Sequence, residues 1–190
     1  MPGRNQNFGH FGARGIKGGE AVARQLDRLV SFISTPITSP RGLVARLRYL
    51  TSSKSARAAA RQAGLTVTDR TVKEWQKGMR KPNRANLERI ERAYRTVRRQ
   101  NVERYLAQRL NRDGRGTRVE IHPFNQSQVD RPRVRDVPFR TLNIRNWDRL
   151  VHAWANDDHE ELEDAWVDEA VDLGSQWGQY EYVTNVGFAA

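Results

Sequence analysis

Cysteine is absent from all 190 residues of the chain. That excludes disulfides, thiolate zinc sites and cysteine nucleophiles. Histidine is nearly as scarce: His10, His122, His152 and His159 are dispersed, none at a metal-ligand spacing. No apolar run approaches the roughly 20 residues a membrane helix needs. The first residues lack the apolar core of a signal peptide. A Walker-type loop, a glycine-rich phosphate cradle behind a strand and a catalytic-triad spacing are also missing. These absences predict a cytoplasmic, non-enzymatic protein with no resident cofactor or metal and no membrane partner.

What is present is charge, unevenly distributed. Residues 41–118 hold 22 basic and 6 acidic side chains, a net of +16, whereas residues 143–190 hold 2 basic and 11 acidic, a net of −9. A basic block followed by an acidic one predicts a nucleic-acid face joined to a module with another task. Arginine outnumbers lysine 28 to 5. Arginine suits bidentate contacts to phosphate and guanine, and a GC-rich genome produces the same ratio.

Residues 1–19 are glycine-rich and aperiodic, which predicts a free arm. In 20–33, Val22, Leu26, Leu29, Val30 and Ile33 recur at helical spacing, and Pro36 and Pro40 then predict a linker over 34–40. A first helix is expected over 41–50, with Leu43, Val44, Leu47 and Leu50 inward. Ser55 is the expected N-cap of a helix over 56–63, with Ala59, Ala60 and Ala63 as a small-residue face and Gly64 as its left-handed terminator. Thr68 or Asp69 then caps a helix over 70–77 that buries Val72 and Trp75.

That order, two short helices around a turn, is the grammar of a helix-turn-helix whose second helix enters the major groove of DNA. Arg70, Thr71 and Glu74 fall on its outward N-terminal part and are expected to read bases. Lys73, Lys77, Arg80 and Lys81 are expected to meet phosphates. Pro82 and Asn83 restart the chain into a long helix over 84–110, roughly 40 Å at 1.5 Å per residue. Leu87, Ile90, Tyr94, Val97 and Tyr105 form its expected seam. Arg84, Arg95, Arg98 and Arg99, with Arg89, Arg92, Arg104 and Arg109, flank it as candidate phosphate contacts. Such a seam serves an intramolecular core or a homodimer.

Asp113-Gly114 and Gly116 break this helix. Strands are expected over 117–124, 137–142 and 179–186, and helices over 146–155 and 158–173. Trp147, Leu150, Val151 and Trp154, then Leu162, Ala165, Trp166 and Val171, should face inward. The acidic cluster of Asp157, Asp158, Glu160, Glu161, Glu163, Asp164, Asp168 and Glu169 is expected to be a solvated helix face, with Mg²⁺ binding or DNA mimicry as its other chemistries. The fold class expected is α+β: a mostly α-helical helix-turn-helix domain whose long helix leads to a small α+β C-terminal module. The expected divisions are 1–40, 41–112 and 113–190.

The run RTVKEWQKGMRKPNRANLERIERAYR, residues 70–95, resembles the Xre-like helix-turn-helix of actinobacterial plasmid and phage regulators. Over residues 41–186 the plan is similar to the telomere terminal proteins of Streptomyces-type linear replicons. The matching pieces are residues 59–65, Arg70-Thr71-Val72, Lys81-Pro82, the helix to Leu110, Val119-Glu120-Ile121 and Arg133-Val134-Arg135. This resemblance implies a nucleoid-associated protein bound to DNA ends, working with a DNA polymerase and a telomere-associated protein. It also implies a loop hydroxyl before the second strand that serves as primer, with Mg²⁺ supplied by the polymerase. The family's acceptor is a threonine; in residues 125–136 the one hydroxyl is Ser127. The rival readings are a dimeric transcription regulator of a plasmid or phage and a non-specific architectural DNA-binding protein.

Overall fold

A computed structural model describes residues 16–122, 140–171, 182–183 and 185–188. The protein is α+β and mostly helical, with seven α-helices and a three-stranded antiparallel sheet among these residues. It divides into two compact units: residues 30–102 form one (unit 2), and residues 1–29 with 103–190 form the other (unit 1).

Unit 2 begins with an irregular segment and continues through α2 (Pro40–Leu50), α3 (Lys54–Gln62), α4 (Asp69–Gln76) and most of α5 (Arg84–Asn111). Pro40 does not close a linker but opens α2 as its first helical residue, where a missing N–H costs nothing. Ser39 caps it, accepting a hydrogen bond from the Gly42 amide at 3.1 Å. The N-cap of α3 is Ser53, not Ser55: the Ser53 hydroxyl accepts from the Ala56 amide at 3.0 Å, and Ser55 lies inside the helix. Both α3 and α4 pack on α2. Leu47, Leu50, Ala60, Leu65, Val72, Trp75, Ile90, Ala93, Tyr94 and Val97 make the core, with Leu43, Ala59 and Ala63 half-buried against it.

Arg46 is part of this core, at 5% exposure. Its guanidinium donates to the carbonyls of Thr35 (2.8 Å), Gly42 (3.1 Å) and Ile33 (3.0 Å), and Nε sits 2.5 Å from Glu91 Oε2. The Ile33 amide in turn donates to the Tyr94 hydroxyl at 2.9 Å. These bonds hold 33–35 outside helical geometry, so the preceding helix stops at Leu29 rather than at Ile33.

Unit 1 contains β1 (Ile16–Lys17), α1 (Gly18–Leu29), the end of α5, β2 (Thr117–His122), β3 (Arg140–Ile144), α6 (Asp148–Ala155), α7 (His159–Val171), β4 (Tyr182–Val183) and β5 (Asn185–Phe188). The sheet order is β3-β2-β5, with β2 central, and β1 pairs separately with β4. Val119, Ile121, Ile144 and Val186 are buried, while Arg118, Thr141 and Asn143 are exposed on the other side, as the twofold alternation of a strand requires. Trp147, Leu150, Val151, Trp154, Leu162, Ala165 and Trp166 are buried as their helical spacing predicts; the side chain of Val171 lies outside the described part.

The start of α1 lies against α7. A Cβ built on Gly18 would fall 1.8 Å from Trp166 Nε1, so only glycine admits this approach. The Gly19 amide donates to Glu163 Oε2 at 3.0 Å. Glu163 is therefore not part of a solvated face: it is 3% exposed, and it accepts from an amide at a helix start that has no partner within the helix. The rest of the acidic cluster is exposed or half-buried, and Arg149 ion-pairs with Glu161 and Asp168, which hold its guanidinium above its ordinary pKa.

Candidate nucleic-acid interface

Helix α4 is fixed at both ends and on one side. At its start Thr68 caps the helix, its hydroxyl accepting from the Thr71 amide at 3.2 Å. At its end Gly78, with φ of 71°, lets the Met79 amide reach the Glu74 carbonyl (3.0 Å) and its own amide reach Trp75 (3.1 Å). This paired-bond terminator also closes α3, where Gly64 has φ of 93° and the Leu65 and Gly64 amides donate to Ala60 and Arg61. Buried Val72 and Trp75 anchor the inner face. The exposed Arg61–Asp69 pair, at 3.0 Å, links α3 to α4. Residues 64–67 lie between the C-cap of one helix and the N-cap of the next, within the span of a helix-turn-helix turn.

Arg70, Lys73, Glu74 and Lys77 recur at the three- and four-residue spacing of one helical stripe, away from Val72 and Trp75. Arg70, Lys73 and Lys77 are exposed, and Glu74 and Thr71 are half-buried. The Thr71 hydroxyl lies 2.9 Å from that of Thr68, which draws it to the helix start. Arg70 Nε donates to Glu74 Oε1 at 3.1 Å. An exposed i,i+4 pair of this kind is worth only about 0.3–0.5 kcal/mol, so it yields readily to a stronger acceptor.

The remaining candidate cations divide into two groups. Arg84 pairs with Glu88 at 3.0 Å, Arg95 pairs with Glu91 and lies over Phe32, and Arg98 stands 5.9 Å from the Tyr49 ring centre. Arg99 is half-buried and has partners of its own. By contrast Lys73, Lys77, Arg80 and Lys81 are exposed, and among the described residues no acidic side chain pairs with them. They are the cations that a polyanion meets at least cost.

The division of charge follows the units. Residues 30–102 carry 17 basic and 4 acidic side chains, a net of +13; the rest of the chain carries 16 basic and 18 acidic, a net of −2. Excess positive charge thus coincides with the helix-turn-helix.

Tyr105 is not in the seam of α5. It is 67% exposed, and Leu106, Ala107 and Leu110 are buried in its place. The structural role of Arg46 has no sequence signal, since nothing in its local pattern separates it from a surface arginine. Ser127 and the rest of residues 123–139 lie outside the described residues. Among the described residues no group of three His, Asp or Glu side chains is placed to hold a metal ion, and no helix is long and apolar enough to cross a membrane.

No protein-family model, curated protein or solved structure matches this chain.

Proposed function

We propose that the protein binds duplex DNA through unit 2, with α4 in the major groove. Arg70 and Glu74 meet base edges, Thr71 completes the N-terminal contact, and Lys73, Lys77, Arg80 and Lys81 neutralise phosphates. The observation that carries this reading is the excess of 17 basic over 4 acidic side chains on the one unit that presents a capped, anchored helix with an open polar face. Four phosphate contacts give a log–log salt slope of about −3.6, at about −0.9 per phosphate. Duplex binding measured against salt tests it: a slope near zero, or one unmoved by Lys73→Ala with Lys77→Ala, sinks the proposal.

The finer reading is that of a terminal protein, which caps the 5′ ends of a linear replicon and offers Ser127 as primer to a polymerase. It is supported by the resemblance over residues 41–186 and by a strongly basic unit followed in the chain by the acidic residues 143–190. The required chemistry is a hydroxyl that attacks the α-phosphorus of a deoxynucleotide, releasing pyrophosphate, with metals supplied by the polymerase. The test incubates the protein with its host's replicative polymerase, Mg²⁺, terminal DNA and labelled deoxynucleotides. Label that co-migrates with denatured protein and disappears in Ser127→Ala supports the reading. A stable dimer on an inverted repeat, with no label, supports a transcription regulator instead.

A further inference from the structure

We infer that unit 1 carries a second nucleic-acid contact, for single-stranded DNA, in which an unpaired base stacks on the exposed ring of Tyr105 while neighbouring arginines hold the adjoining phosphates. The inference is independent of the duplex contact, because its residues belong to the other unit.

Tyr105 is the only exposed aromatic among the aromatic side chains described; the others are buried or half-buried. Among the described residues its ring touches no other ring and no cation, and its hydroxyl has no hydrogen-bond partner. Leu106, Ala107 and Leu110 turn the opposite side of α5 into the core, which fixes the rotation of the helix. That rotation sets Tyr105 outward with Arg104 beside it and Gln108 and Arg109 one turn on, all exposed. Stacking needs a π-face that is not already covered, and a base offers one only when it is unpaired. Guanidinium groups bordering the ring supply phosphate contacts and planar surfaces of their own.

The chain beyond α5 extends the same chemistry. Arg112 and Asp113 adopt left-handed backbone with φ of 48° and 54°, followed by Gly114 at 84°. The turn is held in this costly form by three bonds: Gly116 amide to Asn111 carbonyl (2.9 Å), Thr117 hydroxyl to Leu110 carbonyl (2.6 Å) and Asn143 side chain to Arg115 carbonyl (2.9 Å). Asn143 stands opposite Arg118 in the sheet register, so Arg115 and Arg118 are brought to one region. Glu103 next to Arg104, Asp113 in the turn and Glu120 on the strand are the nearby acids in sequence; Glu103 lies against His152 at 2.7 Å, and among the described residues Arg104, Arg109, Arg112 and Arg118 form no ion pair. This is notable in a unit with more acidic than basic residues. A bare aromatic ring with unpaired Arg104 and Arg109 on its own helix, and unpaired Arg112 and Arg118 in the chain that follows, fits a strand of phosphates and bases.

The test uses the full chain, a fluorescent oligo-dT and a fluorescent duplex, with binding followed by anisotropy across a salt series. Tyr105→Ala is expected to weaken oligo-dT binding about tenfold, the loss of one stacked base, with an unchanged salt slope and unchanged duplex binding. Tyr105→Phe keeps the ring and should bind as wild type. Arg109→Ala with Arg112→Ala should lower the single-strand slope by about 0.7 for each phosphate no longer neutralised. Wild-type oligo-dT affinity in Tyr105→Ala, or equal losses in Tyr105→Phe, overturns the inference. Lys73→Ala with Lys77→Ala should weaken duplex binding and lower its salt slope by about 1.8, leaving oligo-dT binding unchanged. Failure of the duplex contact with oligo-dT binding intact would therefore count against the proposed function and leave this site standing.

Discussion

Arg46 on α2 and Glu91 on α5 form an ion pair with Nε 2.5 Å from Oε2, and both side chains are largely withdrawn from solvent, at 6% and 27% exposure. The same guanidinium holds three main-chain carbonyls and lies 5.3 Å from the Tyr94 ring centre. A basic residue in a unit of net charge +13 is here a cross-brace. Removing one partner of such a pair strands the other in a poor solvent. Glu91→Ala should cost about 3 kcal/mol of unfolding free energy, read from urea denaturation; a loss below about 0.5 kcal/mol would show that the pair is solvated.

The start of α3 sets two neighbouring serines apart. Ser53→Ala removes the acceptor for the Ala56 amide and should cost about 1 kcal/mol. Ser55→Ala removes only its hydroxyl contact with Ser53, at 2.8 Å, and should cost less. Thermal melts of the two variants decide the order, and the reverse order would make Ser55 the cap.

Arg70 and Glu74 form a pair that the proposed duplex contact would open. Arg70→Ala should flatten the difference between preferred and random duplexes by about 1–3 kcal/mol, the value of one bidentate base contact, while moving the salt slope by no more than about one unit. Glu74→Gln should raise affinity for random duplexes, since it removes a negative charge from the stripe, and narrow their gap from the preferred one, since it removes a base contact. Competition binding with two duplexes separates these effects; equal losses on both in Arg70→Ala would make Arg70 a phosphate contact.

Gly18→Ala drives a methyl group into the Trp166 ring. Overpacking of this kind costs about 1–3 kcal/mol, and the damage should fall on unit 1. Tryptophan fluorescence during denaturation, dominated in that unit by buried Trp147, Trp154 and Trp166, reports it. Duplex binding at low temperature should be retained.

Much of the molecule is legible in its sequence because the signals are local. The apolar spacing in α2, α4, α6 and α7, the glycine that ends α3 and the threonine that starts α4 all act within a few residues. The departures share a different cause. Arg46 is buried by carbonyls at positions 33 and 35, and Glu163 by an amide 144 positions away, so no local window contains the reason. Tyr105 continues the seam of Val97 on a near-heptad count, but the burial register changes where α5 passes from one unit to the other. Leu106 and Leu110 follow the second register. The polar stripe of α4 is readable for the same reason as its core: Val72 and Trp75 define one side, and everything else follows.

Unit 1 is discontinuous: its first helix precedes residues 30–102 in the chain, and its remaining elements follow them. During synthesis this sets an order. Gly19 waits for Glu163, made 144 residues later, an interval of about 15 s at roughly 10 residues per second. Unit 2 is uninterrupted and can close first, while Val22 and Leu26 of α1 remain uncovered until α7 and β5 emerge. A ribosome stalled once residues 30–102 have left its exit tunnel, but before α7 has, would thus display a finished unit 2 with a sticky apolar helix ahead of it, a state for which a chaperone has an evident use.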